Sequence, residues 1–216
     1  NCRPKIFAEG CAPIQVSYLG YPSTMASNYM DYLIADNTLI PEEKKHHYLE
    51  KIVYMPNSYQ VNVSNRSISK TSLSRHELGL PSKGFVFCCF NNTYKITPST
   101  FIGWMRILKA VEGSVLWLFE NNNNTTENLK KEAMKFGINE DRFVFATHMP
   151  VEEHLSRIKQ ADLFIDTLPY NAHTTASDAL RMGLPVLTCV GNSFASRVAA
   201  SLLNAVNLPE LITTTQ

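Results

Sequence analysis

No run of the 216-residue sequence reaches the roughly 18 apolar residues that a membrane span needs, and Cys2-Arg3-Pro4-Lys5-Ile6-Phe7 has no apolar core of signal-peptide length. An excess of one charge is lacking too. Twenty Lys and Arg stand against nineteen Asp and Glu, a formal charge of +1, so no overall basic field draws the chain to nucleic acid or anionic lipid, and any bound anion must be held locally. The five cysteines (Cys2, Cys11, Cys88, Cys89, Cys189) are odd in number and show neither a CxxC pair nor a Cys/His zinc spacing. They read as buried free thiols of a protein in the reducing cytoplasm. No GxGxxG follows an apolar run, no GxxxxGK[ST] marks a P-loop, and no Asp-x-Asp pair stands ready to chelate a divalent ion on a diphosphate. Nor is there a repeat of solenoid length. The Asn-x-Ser/Thr triplets, Asn62-Val63-Ser64 among them, arise by chance in a chain this rich in Asn.

What is present is an ordinary globular balance, 44% hydrophobic, 18% charged and 10% aromatic, which excludes disorder, collagen and coiled coil. From Gly84 onward a strand, a loop and an amphipathic helix recur. Gly84–Phe90 precedes a helix over 98–110 with Phe101, Met105 and Leu108 on one face. Ser114–Phe119 leads through the turn Asn121–Asn124 to a helix from about Thr126 to Phe136, closed by Gly137. Arg142–Thr147 precedes a helix over 151–160 opened by Pro150, Asp162–Asp166 one over 174–182, and Pro185–Val190 one over 195–206. Five uninterrupted apolar strands, each followed by a helix, are what a parallel sheet buried on both faces requires. The fold class expected is α/β, a doubly wound Rossmann-like parallel sheet with ligands beyond the carboxyl ends of its strands, just after Phe90, Thr147 and Asp166.

Residues 1–66 read differently. Lys5–Ala8, Ile14–Leu19, Tyr32–Ala35 and Lys51–Met55 look like strands, too few for a complete domain, and the Ser- and Asn-rich stretch Asn57–Ser74 suits a linker or long loop. The chain opens at Asn1 rather than Met, as a piece of something longer would. The expected division is 1–66 as the end of a preceding domain, 67–82 as linker, and 83–216 as the Rossmann-like domain.

Three loops at the predicted carboxyl ends carry the polar groups. In Asn91–Pro98, Lys95 sits just before a helix N-terminus, a point charge beside free N–H groups that suits a phosphate; on local sequence alone a solvated surface lysine is the better reading. In Thr147–Arg157, His154 and Arg157 share one helical face near its start, so an anion, a planar ring or the neighbouring Glu152 and Glu153 must compensate them. In Asp166–Asp178, Thr174 and Thr175 can cap a helix or frame a diphosphate site, and Asp178 returns to the same face one turn on, where a carboxylate can accept both hydroxyls of a ribose. Capping does not explain His173 and Asp178 together.

These loops, with Gly20-Tyr21-Pro22 after Ala12–Val16, the segments Phe90–Thr100, Glu152-Glu153-His154 and His173-Thr174-Thr175, and Ala195–Ser201, resemble in order the catalytic region of the protein O-GlcNAc transferases. The bacterial members, which carry tetratricopeptide repeats upstream, are most similar. The resemblance implies a GT-B architecture, of which this chain holds the nucleotide-binding half and part of the first domain, and an inverting, metal-independent transfer of GlcNAc from UDP-GlcNAc to Ser or Thr of a protein or peptide acceptor. It implies catalytic roles for Lys95, on the departing UDP, and His173. Asn92 lies nearby. The backbone around Met149 and Val151, with His154 and Arg157, would meet the uracil. His173, Thr174 and Thr175 would hold the diphosphate and Asp178 the ribose, while Leu19, Gly20 and Tyr21 line the sugar and acceptor side. No metal or other cofactor is implied. Tyr170 stands where the animal enzymes have a small residue near the N-acyl group, so UDP-glucose is an alternative donor; Val151 replaces a lysine near the nucleotide. The upstream half-domain, whose histidines line the cleft in this family, and the final helix expected after Gln216 are absent from this chain, which implies a fragment inactive alone. A non-catalytic nucleotide-sugar sensor or scaffold is the alternative from another class.

Overall fold

In the computed structural model, which describes residues 3–215, the chain opens with a short helix, α1 (Lys5–Ala8), and not with the strand expected there. Pro4 precedes it with φ −62°, the value its ring fixes and a first helical turn accepts. Strands β1 (Val16–Ser17), β2 (Tyr32–Ala35) and β3 (Lys51–Tyr54) then pair in parallel in that order. β1 is shorter than the apolar run because Leu19 turns to φ 59° and the Gly20 N–H donates back to the Tyr18 carbonyl at 2.6 Å.

The second sheet takes β4 (Val86–Cys89), β5 (Val115–Phe119), β6 (Phe143–Ala146), β7 (Leu163–Ile165), β8 (Val186–Cys189) and β9 (Ile212–Thr213). The crossovers are α2 (Pro98–Ala110), α3 (Asn123–Lys135), α4 (Val151–Ile158), α5 (Thr174–Arg181) and α6 (Val198–Ala205). All pairings are parallel in the order β6-β5-β4-β7-β8-β9, the Rossmann order 3-2-1-4-5-6 counted within this sheet. The switch point lies between β4 and β7.

Local chemistry sets the boundaries. β4 is buried throughout but starts after Gly84, whose φ of +108° and contact with the Gly113 carbonyl leave no room for a side chain. α2 buries Phe101, Trp104, Met105 and Leu108, the expected face plus one, each worth about 1.5–3 kcal/mol of apolar transfer. α3 begins three residues earlier than expected because the Asn122 side chain accepts the Thr125 N–H at 2.9 Å and caps it. The stretch expected to form one helix over 195–206 divides into a single 3-10 turn, Phe194–Ser196, and α6. β9 pairs only two residues with β8, too few to leave a pattern in the sequence.

Two of the expected buried thiols are not buried. Cys88 and Cys89 lie in the core of β4, whereas Cys11 is exposed and Cys189 half-buried; Cys2 lies outside the described residues. Among the described residues no helix is long and apolar enough to cross a membrane.

The first sheet has a core of its own, separate from that of the six-stranded sheet. Leu33, Ala35, Leu39, Ile40 and Tyr59 pack with Phe194 of the 3-10 turn and with Val198, the first residue of α6. At its centre the buried Asp36 accepts the Thr38 and Leu39 N–H groups on Oδ1, and the Tyr59 N–H and Ser201 hydroxyl on Oδ2, at 2.6 to 3.0 Å. Arg197 adds a bond to the Thr38 carbonyl at 2.6 Å. Residues 55–85 contain no helix or strand yet are pinned throughout. Arg75 pairs with Asp162 at 2.8 Å, Ser177 donates to Asn62, and Arg181 donates to the Val63 and Ser64 carbonyls at 2.7 and 2.8 Å.

Asp36→Ala leaves four donors without their acceptor, and the expected loss of unfolding free energy is about 3 kcal/mol or more by urea denaturation. Asp36→Asn, which turns an amide N–H₂ toward some of those donors, falls between; a variant as stable as the wild type would show that the carboxylate does not couple the sheets.

Candidate functional site

The switch point lies between the carboxyl ends of β4 and β7, which supply two of the three loops; the third follows β6 at the edge of the sheet and reaches back to β4 where His154 packs edge-on against Phe90, centroids 5.1 Å apart. After β4, Asn92 caps a single 3-10 turn, Thr93–Lys95, by accepting the Tyr94 N–H, and so sets the direction of Lys95. The Lys95 ammonium donates to the Asn171 carbonyl at 2.9 Å and lies 4.0 Å from the centre of the Tyr170 ring. Burial holds its pKa below the ordinary lysine value while Asp166 works to raise it. Of the two readings of Lys95, the solvated surface lysine does not apply.

After β6, Pro150 opens α4 and brings His154 and Arg157 together. They are not a pair of cations. Arg157, only 2% exposed, donates from Nε to His154 Nδ1 at 3.0 Å and from Nη1 to the Thr147 carbonyl at 2.7 Å. Its guanidinium faces the rings of Phe90 and Trp117 at 5.7 and 5.9 Å, the planar-ring compensation the sequence allowed. Burial, together with Arg157, Arg66 and His148, lowers the His154 pKa to about 4, so the imidazole is neutral and free to accept. Asn92, Met149, Val151, His154 and Arg157 line one cavity of about 250 Å³ with Phe90, Phe119 and His148. Aromatic walls, a few polar edges and a backbone segment suit a flat heterocycle.

After β7, the loop is organised by Asp166. Its carboxylate accepts the Ala172 and Thr167 N–H groups at 2.6 and 2.7 Å, the Thr188 hydroxyl at 2.7 Å and the Asn91 amide at 3.2 Å. Enclosure by protein nevertheless pushes its pKa up to about 6, against the pull of these donors. Neither threonine caps α5. His173 occupies the cap position with no side-chain bond to the helix, and the Thr175 hydroxyl instead donates to Asn91 Oδ1. The first turn therefore offers its N–H groups outward beside Lys95, which suits an anion. His173 stacks on Tyr170 with centroids 5.0 Å apart, and burial and Lys95 lower its pKa to about 4. Tyr170 thus contacts both an ammonium and a neutral imidazole.

Asp178, on α5, is 11% exposed at its side chain and already engaged: Arg66 from the connecting segment donates to Oδ1 at 2.6 Å. On the other sheet, Leu19, Gly20 and Tyr21 form an exposed turn, and Tyr21 and Tyr94 stand near enough to Tyr170 to raise its hydroxyl pKa, after the larger effect of burial. Among the described residues no three His, Cys, Asp or Glu side chains gather as metal ligands. Sequence reasoning missed Asn91, Asp166 and Arg66. The first two end apolar strands at the expected place; nothing local marks the third.

A model of glycosyl transferase family 41 matches residues 1–70 and 62–216. The Arabidopsis thaliana protein named probable UDP-N-acetylglucosamine–peptide N-acetylglucosaminyltransferase SEC is 37% identical over 213 residues, 96% of this chain and 22% of that protein. The Caenorhabditis elegans UDP-N-acetylglucosamine–peptide N-acetylglucosaminyltransferase is 27% identical over an alignment covering 100% of this chain and 28% of its own length. The chain thus spans a quarter or so of the curated relatives it matches. Among solved structures, a mutant of the Thermobaculum terrenum O-GlcNAc transferase superposes with a TM-score of 0.84 at 30% identity, over 97% of this chain and 39% of that one. The architecture is that of the GT-B catalytic region.

The neutral histidines make stability depend on pH. A folded pKa of about 4 against an ordinary 6.5 means that the unfolded chain binds the extra proton, so stability is present above pH 6.5 and lost as pH falls toward 4. Asp166, raised instead, opposes this between its ordinary value and about 6. In His154→Gln, the drop in unfolding free energy between pH 7 and pH 4.5 should be smaller than in the wild type by on the order of 2 kcal/mol. Equal drops in urea titrations at the two pH values would mean that the folded chain protonates His154 freely.

Proposed function

The chain belongs to glycosyl transferase family 41, and from that premise we propose that it is the donor-binding part of a protein O-GlcNAc transferase. The reaction is inverting and metal-independent. The acceptor is a Ser or Thr hydroxyl of a protein or peptide, and the donor is UDP-GlcNAc. One observation carries the reading: an aromatic-lined cavity at the start of α4 and an uncapped helix N-terminus at α5 accompany a single half-buried ammonium, Lys95, at the switch point.

Residue by residue, the uracil occupies the cavity of Phe90, Phe119 and His154, against the backbone at Met149 and Val151, with Arg157 holding His154 and Thr147 in place. The ribose reaches Asp178. The diphosphate meets Thr174, Thr175 and the first N–H groups of α5, with His173 beside them. The acceptor oxygen attacks the anomeric carbon as the bond from that carbon to the diphosphate oxygen breaks, so negative charge grows on the departing UDP. Lys95, Asn92 nearby and the helix N–H groups stand where that charge develops, and a preorganised donor is worth most there. The gathering of charge at Lys95, with no carboxylate pair beside the diphosphate site, is what supports a metal-independent step. Leu19, Gly20 and Tyr21 line the sugar and acceptor side.

Tyr170 favours a second reading of the donor. Its ring covers Lys95 and His173 where the sugar would leave the diphosphate, and this narrower end fits UDP-glucose as well as UDP-GlcNAc. Residues 1–66 are then the end of the acceptor-side domain, 67–82 a linker, and 83–216 the donor domain. The chain alone is inactive, and the whole protein acts in the cytoplasm with tetratricopeptide repeats upstream.

Calorimetric titration of UDP into this chain tests the donor site, with saturable binding that weakens in Asp178→Ala and Lys95→Ala. In the full-length enzyme Lys95→Ala should cost at least ~100-fold in turnover, the scale of losing one oxyanion donor. Near-wild-type turnover in that variant would end the assignment, and a full-length protein that binds UDP without turnover would be the non-catalytic sensor.

A further inference from the structure

We propose that Arg66 is a positioning residue of the nucleotide site, holding the carboxylate of Asp178 in the orientation that accepts the ribose hydroxyls. The proposal rests on the donor-site reading above and extends it to a residue of the connecting segment, 112 positions away in sequence.

The geometry is specific. Residues 62–71 run as a strap over the helices that bear the site. Ser177 and Arg181 of α5 hold it at Asn62, Val63 and Ser64, and it then meets α4, where the Ser69 N–H donates to the Glu152 carbonyl at 3.1 Å and the Ser156 hydroxyl to the Thr71 carbonyl at 3.1 Å. Arg66 lies between these two anchor sets and turns inward. One guanidinium N–H binds Asp178 Oδ1 at 2.6 Å, with the arginine side chain 33% exposed and the aspartate 11%. Arg66 also stands close enough to His154 to help keep that imidazole neutral, so its charge lies between the wall of the heterocycle cavity and the ribose carboxylate.

A carboxylate on a helix surface swings freely about its χ1 and χ2 bonds unless something holds it, and a charge-assisted bond to one oxygen fixes the direction of the other. Asp178 Oδ2 has no protein donor among the described residues, so the oxygen left over is the one turned toward a ligand. Burial alone would favour the protonated carboxyl, which accepts hydrogen bonds poorly; Arg66, and Arg181 more weakly on the same helix, counter it. A strap anchored at both ends keeps the guanidinium in place before the nucleotide arrives, so little ordering is left to the binding step.

The test compares UDP with its 2′,3′-dideoxy analogue, because the ratio of their affinities reads the ribose contact and is insensitive to general loosening of the fold. The wild type should favour UDP by about tenfold or more, the scale of a charge-assisted bond. Asp178→Ala should bring the ratio near one, and Arg66→Ala and Arg66→Gln to within about threefold of one. Ser177→Ala, which releases only the strap's bond at Asn62, should keep the wild-type ratio; far-ultraviolet dichroism checks that each variant is folded. If the ratio collapses in Asp178→Ala but persists in both Arg66 variants, Arg66 positions nothing and the proposal falls while the donor-site reading stands. If Asp178→Ala itself keeps the ratio, the ribose assignment fails and the proposal goes with it. If Ser177→Ala loses the ratio as fully as Arg66→Ala, the strap as a whole is responsible and the specific role of Arg66 is overturned.

Discussion

The site depends on one carboxylate. Asp166 ends β7 at the switch point, and its oxygens gather an amide from the β4 loop, a hydroxyl from β8 and two N–H groups of its own loop. The Asn91 amide and the two loop N–H groups come from segments that carry, or adjoin, a residue proposed to touch the nucleotide sugar. Asn91 in turn holds Thr175 and Thr167, and Ala172 directly precedes His173. A carboxylate so enclosed is costly to ionise, and burial pushes its pKa up to about 6 despite the donors around it. The enclosure persists because donors aimed inward would be left unsatisfied if the loop opened. The β4 and β7 loops, far apart in sequence, are thereby tied to each other and to β8 before any ligand arrives.

A second carboxylate repeats the device at the joint between the sheets. Asp36 follows β2 as Asp166 follows β7, and ties the first sheet to Tyr59 and to Ser201 of α6. The motif Ala195–Ser201, which contributes to the family resemblance, is thereby accounted for in structural terms. Ser196 closes a capping box with Ser193, Arg197 binds the Thr38 carbonyl, and Ser201 reaches Asp36. None of these side chains lines the heterocycle cavity. Their bonds tie the first sheet, which bears the Leu19–Tyr21 turn, to α6 of the second.

The apolar strands and amphipathic helices were legible because each wrote its burial into consecutive or 3.6-spaced residues, as in Val86–Cys89 and in Phe101, Met105 and Leu108. The places where ligands should bind followed from the general behaviour of parallel sheets, and that is where Lys95, His154 and His173 stand. What stayed hidden is what local pattern does not encode. α1 reads as a strand until Pro4 is weighed, and β9 is two residues long. The neutral state of His154 depends on burial and on Arg157, since spacing alone suggested two charges. Arg66 and Asp178 meet only because the connecting segment is strapped across α5 and α4, so a stretch rich in Ser and Asn that reads as free linker is a fixed part of the site.

These facts constrain how the site handles charge. At neutral pH both histidines are uncharged and Arg157 is spent on His154, Thr147 and two aromatic faces, so Lys95 is the one cation that the three loops direct at the proposed diphosphate position. A site with a single half-buried ammonium and helix N–H groups binds a diphosphate less tightly than one with several free cations, because part of the ligand's charge is met by dipoles. That restraint suits a leaving group. Interactions that strengthen as charge moves onto the departing phosphate lower the barrier, whereas those already complete in the ground state only tighten binding. Tyr170 contributes to the same end. Its ring lies against Lys95 and stacks with His173, so the ammonium is held by a π face and the Asn171 carbonyl rather than by a carboxylate that would neutralise it. Asp166 helps to keep Lys95 charged from behind a shell of its own donors, without accepting its proton in a direct bond.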